Sequence, residues 1–406
     1  MPGNVAAEIM TPPANPDKEK GKAMRFFHLS DLHIGLKLIG KDLREDQEYI
    51  LKEIVRLAGE RKPDAVVIAG DLYDKAVPSA EAVEVFDHFI CALIQADPSA
   101  EIMMISGNHD SAMRINVFRN VLCHQKIHMI GLPPMTENER IEKVTLQDEY
   151  GPVNFYLLPF VRPSMVRNVV GTREDGSSFS YEETIRRLLG REAVNPEERN
   201  VLVSHQFYLP SGEKPDEVER MESEICTVGN IDAVGAEVLE PFDYAALGHI
   251  HKPMKVGTEF FRYCGTPLAL SVSEAGQKKG IVEVELGPKG SVRTEVLPLI
   301  PLRRIRVLEG TLEEVLKQGC GDYVRVVLTD REDRNVPDMQ DRLRSAFPNL
   351  LEIRRKTIWK SGTLRAESGG GTALGALELC RSFLKDLDGE EERILRDVIN
   401  TVENRT

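Results

Sequence analysis

Cysteine is scarce in this 406-residue sequence and never paired: Cys91, Cys123, Cys226, Cys264, Cys320 and Cys380 stand singly with no CxxC. That excludes a disulfide framework and a structural zinc knot, and it fits a reducing cytoplasm. No apolar run reaches the length of about 18 residues that a bilayer span needs, so no membrane partner is expected. The first 23 residues hold Pro12, Pro13, Pro16 and a charge cluster from Lys18 to Lys22 but no apolar stretch. Residues 1–23 therefore read as a flexible tail, not a secretory signal. Positive charge is also short: 52 Lys and Arg against 65 Asp and Glu leave a net charge of -13. Such a chain has no global attraction for nucleic acid, so a DNA substrate would have to be held by local sites.

What is present is ordinary in bulk, with 41% hydrophobic and 29% charged residues, as in a soluble globular protein. The length exceeds what one core usually serves and predicts two to three domains.

Short apolar runs at 25–31 and 64–71 each end in a carboxylate, and a helix-period stretch from Glu45 to Leu57 lies between them. This predicts a βαβ unit with acids at the strand ends. The pattern repeats with a helix from Ala80 to Ile94 and a strand from Ile102 to Ser106 that runs into Gly107-Asn108-His109-Asp110. Two later strands, Asn200–Ser204 and Tyr244–Leu247, run into His205 and into Gly248-His249-Ile250-His251. Ligands of open α/β sheets bind beyond the carboxyl ends of strands, where loops gather side chains from several strands. These five strand ends therefore predict a single site.

Five of the nine histidines (His33, His109, His205, His249, His251) fall at those ends, beside Asp31, Asp71 and Asn108. Mixed imidazole and carboxylate donors suit a dinuclear cation centre, which needs one carboxylate to bridge ions about 3.5–4 Å apart. Asp71, preceded by a glycine, is the bridging candidate. The pairs Asp31/His33 and His249/His251 are spaced i, i+2, so each pair can face one side of an opening loop. His28 in an apolar strand, the helical His88, and His124 and His128 near Cys123 lack ligand-like spacing and read as packing or surface residues.

In order, DLH (31–33), GDLYD (70–74), GNHD (107–110), His205 and GHIH (248–251) resemble the signature of the calcineurin-like metallophosphoesterases. A single such triplet is weak, because polar triplets are common in turns. The resemblance implies a four-layer αββα fold. It also implies that Asp31, His33, Asp71 and His251 hold one divalent metal ion and Asp71, Asn108, His205 and His249 a second, both expected to be Mn²⁺. His109 would stabilise charge on the leaving oxygen or protonate it, with Asp71 and Asn108 completing the catalytic group. Asp74 stands where relatives carry histidine and is expected to order the loop or support the ligands.

The stretches Cys264–Glu274 and Val228–Asp232 and the terminal βαβαβ pattern narrow the resemblance to the SbcD-type nuclease subunits, over about residues 24–356. That terminal pattern is strand Arg304–Leu308, helix Thr311–Gln318, strand Tyr323–Leu328, helix Pro337–Phe347 and strand Leu351–Arg355, a separate small α+β unit. The expected organisation is a phosphoesterase (nuclease) domain at 24–298, a capping domain at 299–360, and a linker and helical docking arm at 361–406. The linker contains Ser368-Gly369-Gly370-Gly371, and the arm carries apolar stripes from Leu374 to Leu387 and from Ile394 to Val402. The capping region is locally basic, with 13 Lys or Arg against 10 Asp or Glu over residues 301–360. Lys278-Lys279 reads as a surface pair that could meet a phosphate backbone.

By resemblance, the activity would be ATP-dependent exonuclease action on double-strand ends and endonuclease cleavage of single strands and hairpins, in repair and recombination. The chain has no GxxxxGK[ST] loop, so an SbcC-type ATPase partner would handle the nucleotide. A homodimer is also implied. The competing readings are a small-molecule phosphodiesterase or nucleotidase on the same metal site, and a non-catalytic scaffold for DNA or protein.

Overall fold

Alternation along the central strands decides the layering. In the strand Met24–Leu29, Phe26 faces one side with Val67 of the neighbouring strand, while Phe27 and Leu29 face the other with Val66 and Ile68. Strands buried on both faces must be covered on both. The computed structural model, which describes residues 22–210, 232–330, 338–356, 389 and 391–396, shows what covers them.

One six-stranded sheet runs in the order Val292–Pro298, Gly280–Leu286, Met24–Leu29, Ala65–Ala69, Glu101–Ile105, Ile127–Ile130. Its last four strands are parallel. The second sheet runs Met254–Lys255, Phe261–Tyr263, Tyr244–Gly248, Arg199–His205, Gly151–Leu158, Glu142–Asp148, with its four middle strands parallel. Phe26, Val67 and Met103 of the first sheet meet Phe155, Val201 and Tyr244 of the second in a shared core. Helices Arg44–Arg61 and Ala80–Ala96 bury Ile50, Ile54, Val85 and Phe89 on the outer face of the first sheet. Helix Tyr181–Gly190 buries Ile185 and Leu188 on the outer face of the second. This is the expected four-layer αββα arrangement.

Within the same unit, strands Ile305–Gly310, Tyr323–Leu328 and Leu350–Arg355 form a parallel sheet covered by helices Leu312–Leu316 and Met339–Ala346. It has its own core of Leu308, Val315, Val324, Val326, Leu343 and Phe347. The second helix starts at Met339, two residues later than the sequence pattern places it. The sheet is tied to the first helix through Asp46, which accepts hydrogen bonds from Arg303 and the Tyr323 hydroxyl, both at 2.7 Å.

Residues 357–406 form a second unit, of which Gly389 and Glu391–Arg396 are described, as helix. The Ser368–Gly371 linker, most of the expected arm, the tail up to residue 21 and the stretch 228–231 lie outside the described residues.

Candidate metal centre

Each parallel strand hands the chain to a loop at its carboxyl end, and the two sheets point those ends at one place. The first sheet supplies Asp31 and His33, Asp71, and Asn108 and His109; the second supplies His205, His249 and His251. The first two loops remain stitched together beyond their strands. Asp31 N–H donates to the Gly70 carbonyl and His33 N–H to the Asp71 carbonyl, both at 3.0 Å.

The backbone here is bent in ways most side chains avoid. Asp31, His33, Asp71 and His249 have φ of 53°, 43°, 49° and 107°, in the left-handed region that costs non-glycine residues free energy. Glycines at 70, 107 and 248 make the close approach possible. A Cβ on Gly107 would lie 2.1 Å from Asp71 Oδ1, and one on Gly70, itself at φ +88°, would lie 2.3 Å from His205 Nδ1.

Two groups of donors result. In the first, His33 Nε2 lies 3.1 Å from His251 Nε2 and 3.5 Å from Asp71 Oδ2. Ligand atoms of Asp31, His33 and His251 all lie within 4.8 Å of one another. In the second, His205 Nε2 is 3.3 Å from Asp71 Oδ2 and 3.0 Å from Asn108 Oδ1, and His249 Nδ1 is 3.0 Å from the same Asn108 oxygen. Asp31, Asp71 and His205 also form a cluster within 4.8 Å. One oxygen of Asp71 therefore faces both groups.

The donor chemistry fits divalent cations. The His205 Nδ1–H donates to the Ala69 carbonyl at 2.7 Å, which leaves Nε2 to face two oxygens. A lone pair there needs either a proton or a cation between it and those oxygens. Asp31, His33, Asp71, His205, His249 and His251 are all buried, and buried charges persist only when paired or coordinating.

The electrostatics report the same demand for positive charge. Burial raises the Asp31 carboxyl above its ordinary value. Burial would raise Asp71 as well, but His205, His33 and His109 outweigh it and hold that carboxyl far below the usual range. Burial opposes a charge on His205, yet the Asp71 carboxylate, with Asp31 and the Ala69 carbonyl, lifts it to about 9. Burial takes His33 well below its ordinary value.

His109 lies beside these groups. Its N–H donates to Asp71 Oδ1 at 2.9 Å, its Nδ1–H donates to the Asp74 carbonyl at 3.0 Å, and its ring centroid is 4.7 Å from that of His33. Ligand atoms of His33, Asp74 and His109 lie within 4.8 Å of one another, so Asp74 reaches the edge of the cluster.

His28, set aside on sequence, is buried between the sheets, with Nδ1 3.0 Å from the Tyr244 hydroxyl. His88 and His124 are exposed, and His128 pairs with Glu101 at 2.8 Å.

Two roles escaped the sequence pattern. The Asp110 carboxylate accepts from the N–H groups of Leu72 (3.1 Å), Tyr73 (3.0 Å) and Gly107 (2.9 Å), pinning the 70–74 loop to the 107–110 loop. Gln47 does the same for the first loop, donating to the His33 carbonyl at 2.8 Å and accepting from Gly35 N–H at 3.0 Å. The reading of Lys278-Lys279 as a surface pair is corrected. Lys278 is exposed, but Lys279 is buried and spends its ammonium on Glu274 (2.7 Å), the His251 carbonyl (3.0 Å) and Gln277 (2.9 Å). A lysine this deep survives only when fully paired.

The calcineurin-like phosphoesterase family model matches residues 24–253, and that of the type 5 capsule protein repressor C-terminal domain matches residues 300–386. The SbcD subunit of the nuclease SbcCD from Staphylococcus epidermidis is 29% identical over 337 residues, covering 81% of this chain and 85% of that protein. Among solved structures, the chain is similar to a Thermus thermophilus protein at TM-score 0.39 and 13% identity, over 68% of this chain and 99% of that one. It is also similar to a dimetal phosphatase from Danio rerio at TM-score 0.37 and 15% identity, over 69% of this chain and 100% of that one. The first family match covers more than half of the chain and contains every residue of the cluster, so the chain belongs to the calcineurin-like phosphoesterases, which are metal-dependent hydrolases.

Proposed function

We propose that this protein is a two-metal nuclease subunit that hydrolyses DNA phosphodiesters at double-strand ends, hairpins and single strands. The observation that carries the reading is the convergence of seven donors from five strand ends, with one Asp71 oxygen facing both groups. The likeness to the SbcD subunit of the nuclease SbcCD along most of both chains supports DNA as the substrate and an SbcC-type ATPase as the partner.

In this reading Asp71 would serve both ions, Asp31, His33 and His251 would complete one ligand set, and Asn108, His205 and His249 would complete the other. Divalent cations held there, Mn²⁺ by expectation, would supply activation of water and neutralisation of phosphoryl charge for an in-line displacement. His109, anchored through Nδ1 on the Asp74 carbonyl, keeps Nε2 for the leaving oxygen, to stabilise its charge or protonate it. Asp110 and Gln47 hold the loops so that this geometry precedes substrate binding.

A chain of net charge -13 needs local cations to take a DNA strand. A cleft of about 580 Å³ running from Asp74 carries Lys37 and Lys75 beside Asp42 and Glu81, with Arg44 paired to Glu48 and Glu84. A homodimer is proposed through the segment following Asn108 and His109, where Met113, Val117, Phe118 and Val121 are exposed; an apolar patch of this kind marks an interaction face. Among the described residues no helix is long and apolar enough to cross a membrane.

The test is to incubate the full chain with Mn²⁺ and linear duplex, hairpin DNA or bis-p-nitrophenyl phosphate, beside His109→Ala and with or without the partner ATPase. Metal-dependent DNA cleavage that falls about 10²- to 10⁴-fold in the variant is expected. Hydrolysis of the small diester alone would point to a small-molecule phosphodiesterase, and no turnover at all to a scaffold.

A further inference from the structure

Behind His251, on the side away from His33, lies a second buried charge that the proposed chemistry does not use. Glu274 has no exposed surface, and its carboxylate lies between the Lys279 ammonium and the His251 ring. Its two oxygens are divided between partners. Oε2 accepts from Lys279 Nζ at 2.7 Å and from the Thr266 hydroxyl at 3.1 Å. Oε1 accepts from the Ser271 hydroxyl at 3.0 Å and lies 3.7 Å from His251 Nδ1. Lys279 closes the arrangement by also donating to the His251 carbonyl at 3.0 Å. Lys279 thus bonds the His251 backbone from behind, while the Glu274 carboxylate stands 3.7 Å behind its ring.

A carboxylate behind an imidazole fixes the proton on the near nitrogen, sets the ring plane and raises the basicity of the far nitrogen. For His251 the far nitrogen is Nε2, the atom 3.1 Å from His33 Nε2. His205 solves the same problem with a neutral carbonyl, Ala69. The two imidazoles therefore differ: one is backed by a dipole, the other by a full charge.

We infer that Glu274 is a positioning residue, which holds His251 in the orientation and tautomer that bind a cation and strengthens the His33/His251 side of the centre. This rests on the two-cation reading above. Isolated ion pairs inside proteins are often no better than apolar packing for stability, so a purely structural Glu274–Lys279 pair should be replaceable without effect on metal affinity.

The full chain is titrated with Mn²⁺ by calorimetry, with bound metal counted after gel filtration and folding checked by near-ultraviolet circular dichroism. Wild type is expected to bind two ions. Glu274→Gln should keep one ion at wild-type affinity and weaken the other about 10- to 100-fold, with turnover recovering as Mn²⁺ is raised. Thr266→Val and Ser271→Ala, which remove only hydroxyls bonded to Glu274 and leave the Thr266 N–H to the His251 carbonyl in place, should change metal affinity far less. If Glu274→Gln leaves Lys279 unpaired and does not fold, Glu274→Gln/Lys279→Met is measured in its place. Two ions at wild-type affinity in the folded variant would overturn the assignment, as would equal losses in Thr266→Val and Ser271→Ala, or failure of both Glu274 variants to fold. If wild type binds fewer than two ions, the two-cation reading fails first, whatever Glu274 does.

Discussion

The loops at the metal centre and the small sheet of residues 305–355 obey opposite rules. In the small sheet, local preference and structure agree: Thr311 and Glu314 form a reciprocal capping box, strand residues alternate into one core, and Asp338 is the one described non-glycine residue at positive φ. At the centre, four side chains sit at positive φ, Gly70, Gly107 and Gly248 leave no room for a Cβ, and Asp31 and Asp71 are buried together. Agreement across levels is what makes a sequence fold, and departures from it concentrate where function is built. Folding free energy from the shared core of the two sheets holds the strained loops in place.

Substitutions at the centre should therefore cost activity and those in the regular parts should cost only stability. The largest effect is expected for Asp71→Asn, which removes the charge facing both donor groups. Its turnover of bis-p-nitrophenyl phosphate should fall at least about a thousandfold, about 4 kcal/mol of barrier, with Mn²⁺ binding lost in parallel. Gly107→Ala comes next, because its methyl would overlap Asp71 Oδ1. Thermal unfolding should show about 1–3 kcal/mol of destabilisation, and turnover should drop with it. A folded, fully active Gly107→Ala protein would mean that the close approach is not needed.

Asp148 lies outside the donor cluster, as half of an ion pair with Arg199. It binds the buried Arg199, which also donates to the Leu286 and Gly287 carbonyls at 3.1 Å, and it accepts from Met24 N–H at 2.7 Å. Burial would raise this carboxyl, but Arg199 and the surrounding N–H groups hold it below its ordinary value. A carboxyl depressed in the folded state adds stability that is present above its unfolded value, about 3.9, and is lost as pH falls through its folded value. Asp148→Asn should therefore cost about 1–3 kcal/mol at pH 7. Denaturant titrations should show that gap closing as pH falls below about 4, with turnover at pH 7 unchanged. The smallest effect is expected for Thr311→Ala, about 1 kcal/mol from loss of the cap and none on hydrolysis.

The same contrast explains what the sequence made legible. Ligands at strand ends announce themselves, because an apolar run followed by Asp, Asn or His is a short, local pattern; even the isolated His205 is readable this way. Asp110 and Gln47 carry no such mark, since their partners are backbone N–H and carbonyl groups that every residue possesses. Glu274 and Lys279 look like surface charges until the fold buries them against His251. The antiparallel strands Gly280–Leu286 and Val292–Pro298 went unread, because the first pairs with Met24–Leu29 over some 250 residues of chain and the second pairs with the first.

Five strand ends are proposed to assemble one site for two cations, and crystals of the full chain grown with Mn²⁺ and measured at the manganese absorption edge would decide it. Two anomalous peaks about 3.5–4 Å apart, with Asp71 between them, are predicted. A single peak, or manganese bound away from Asp71, would contradict it.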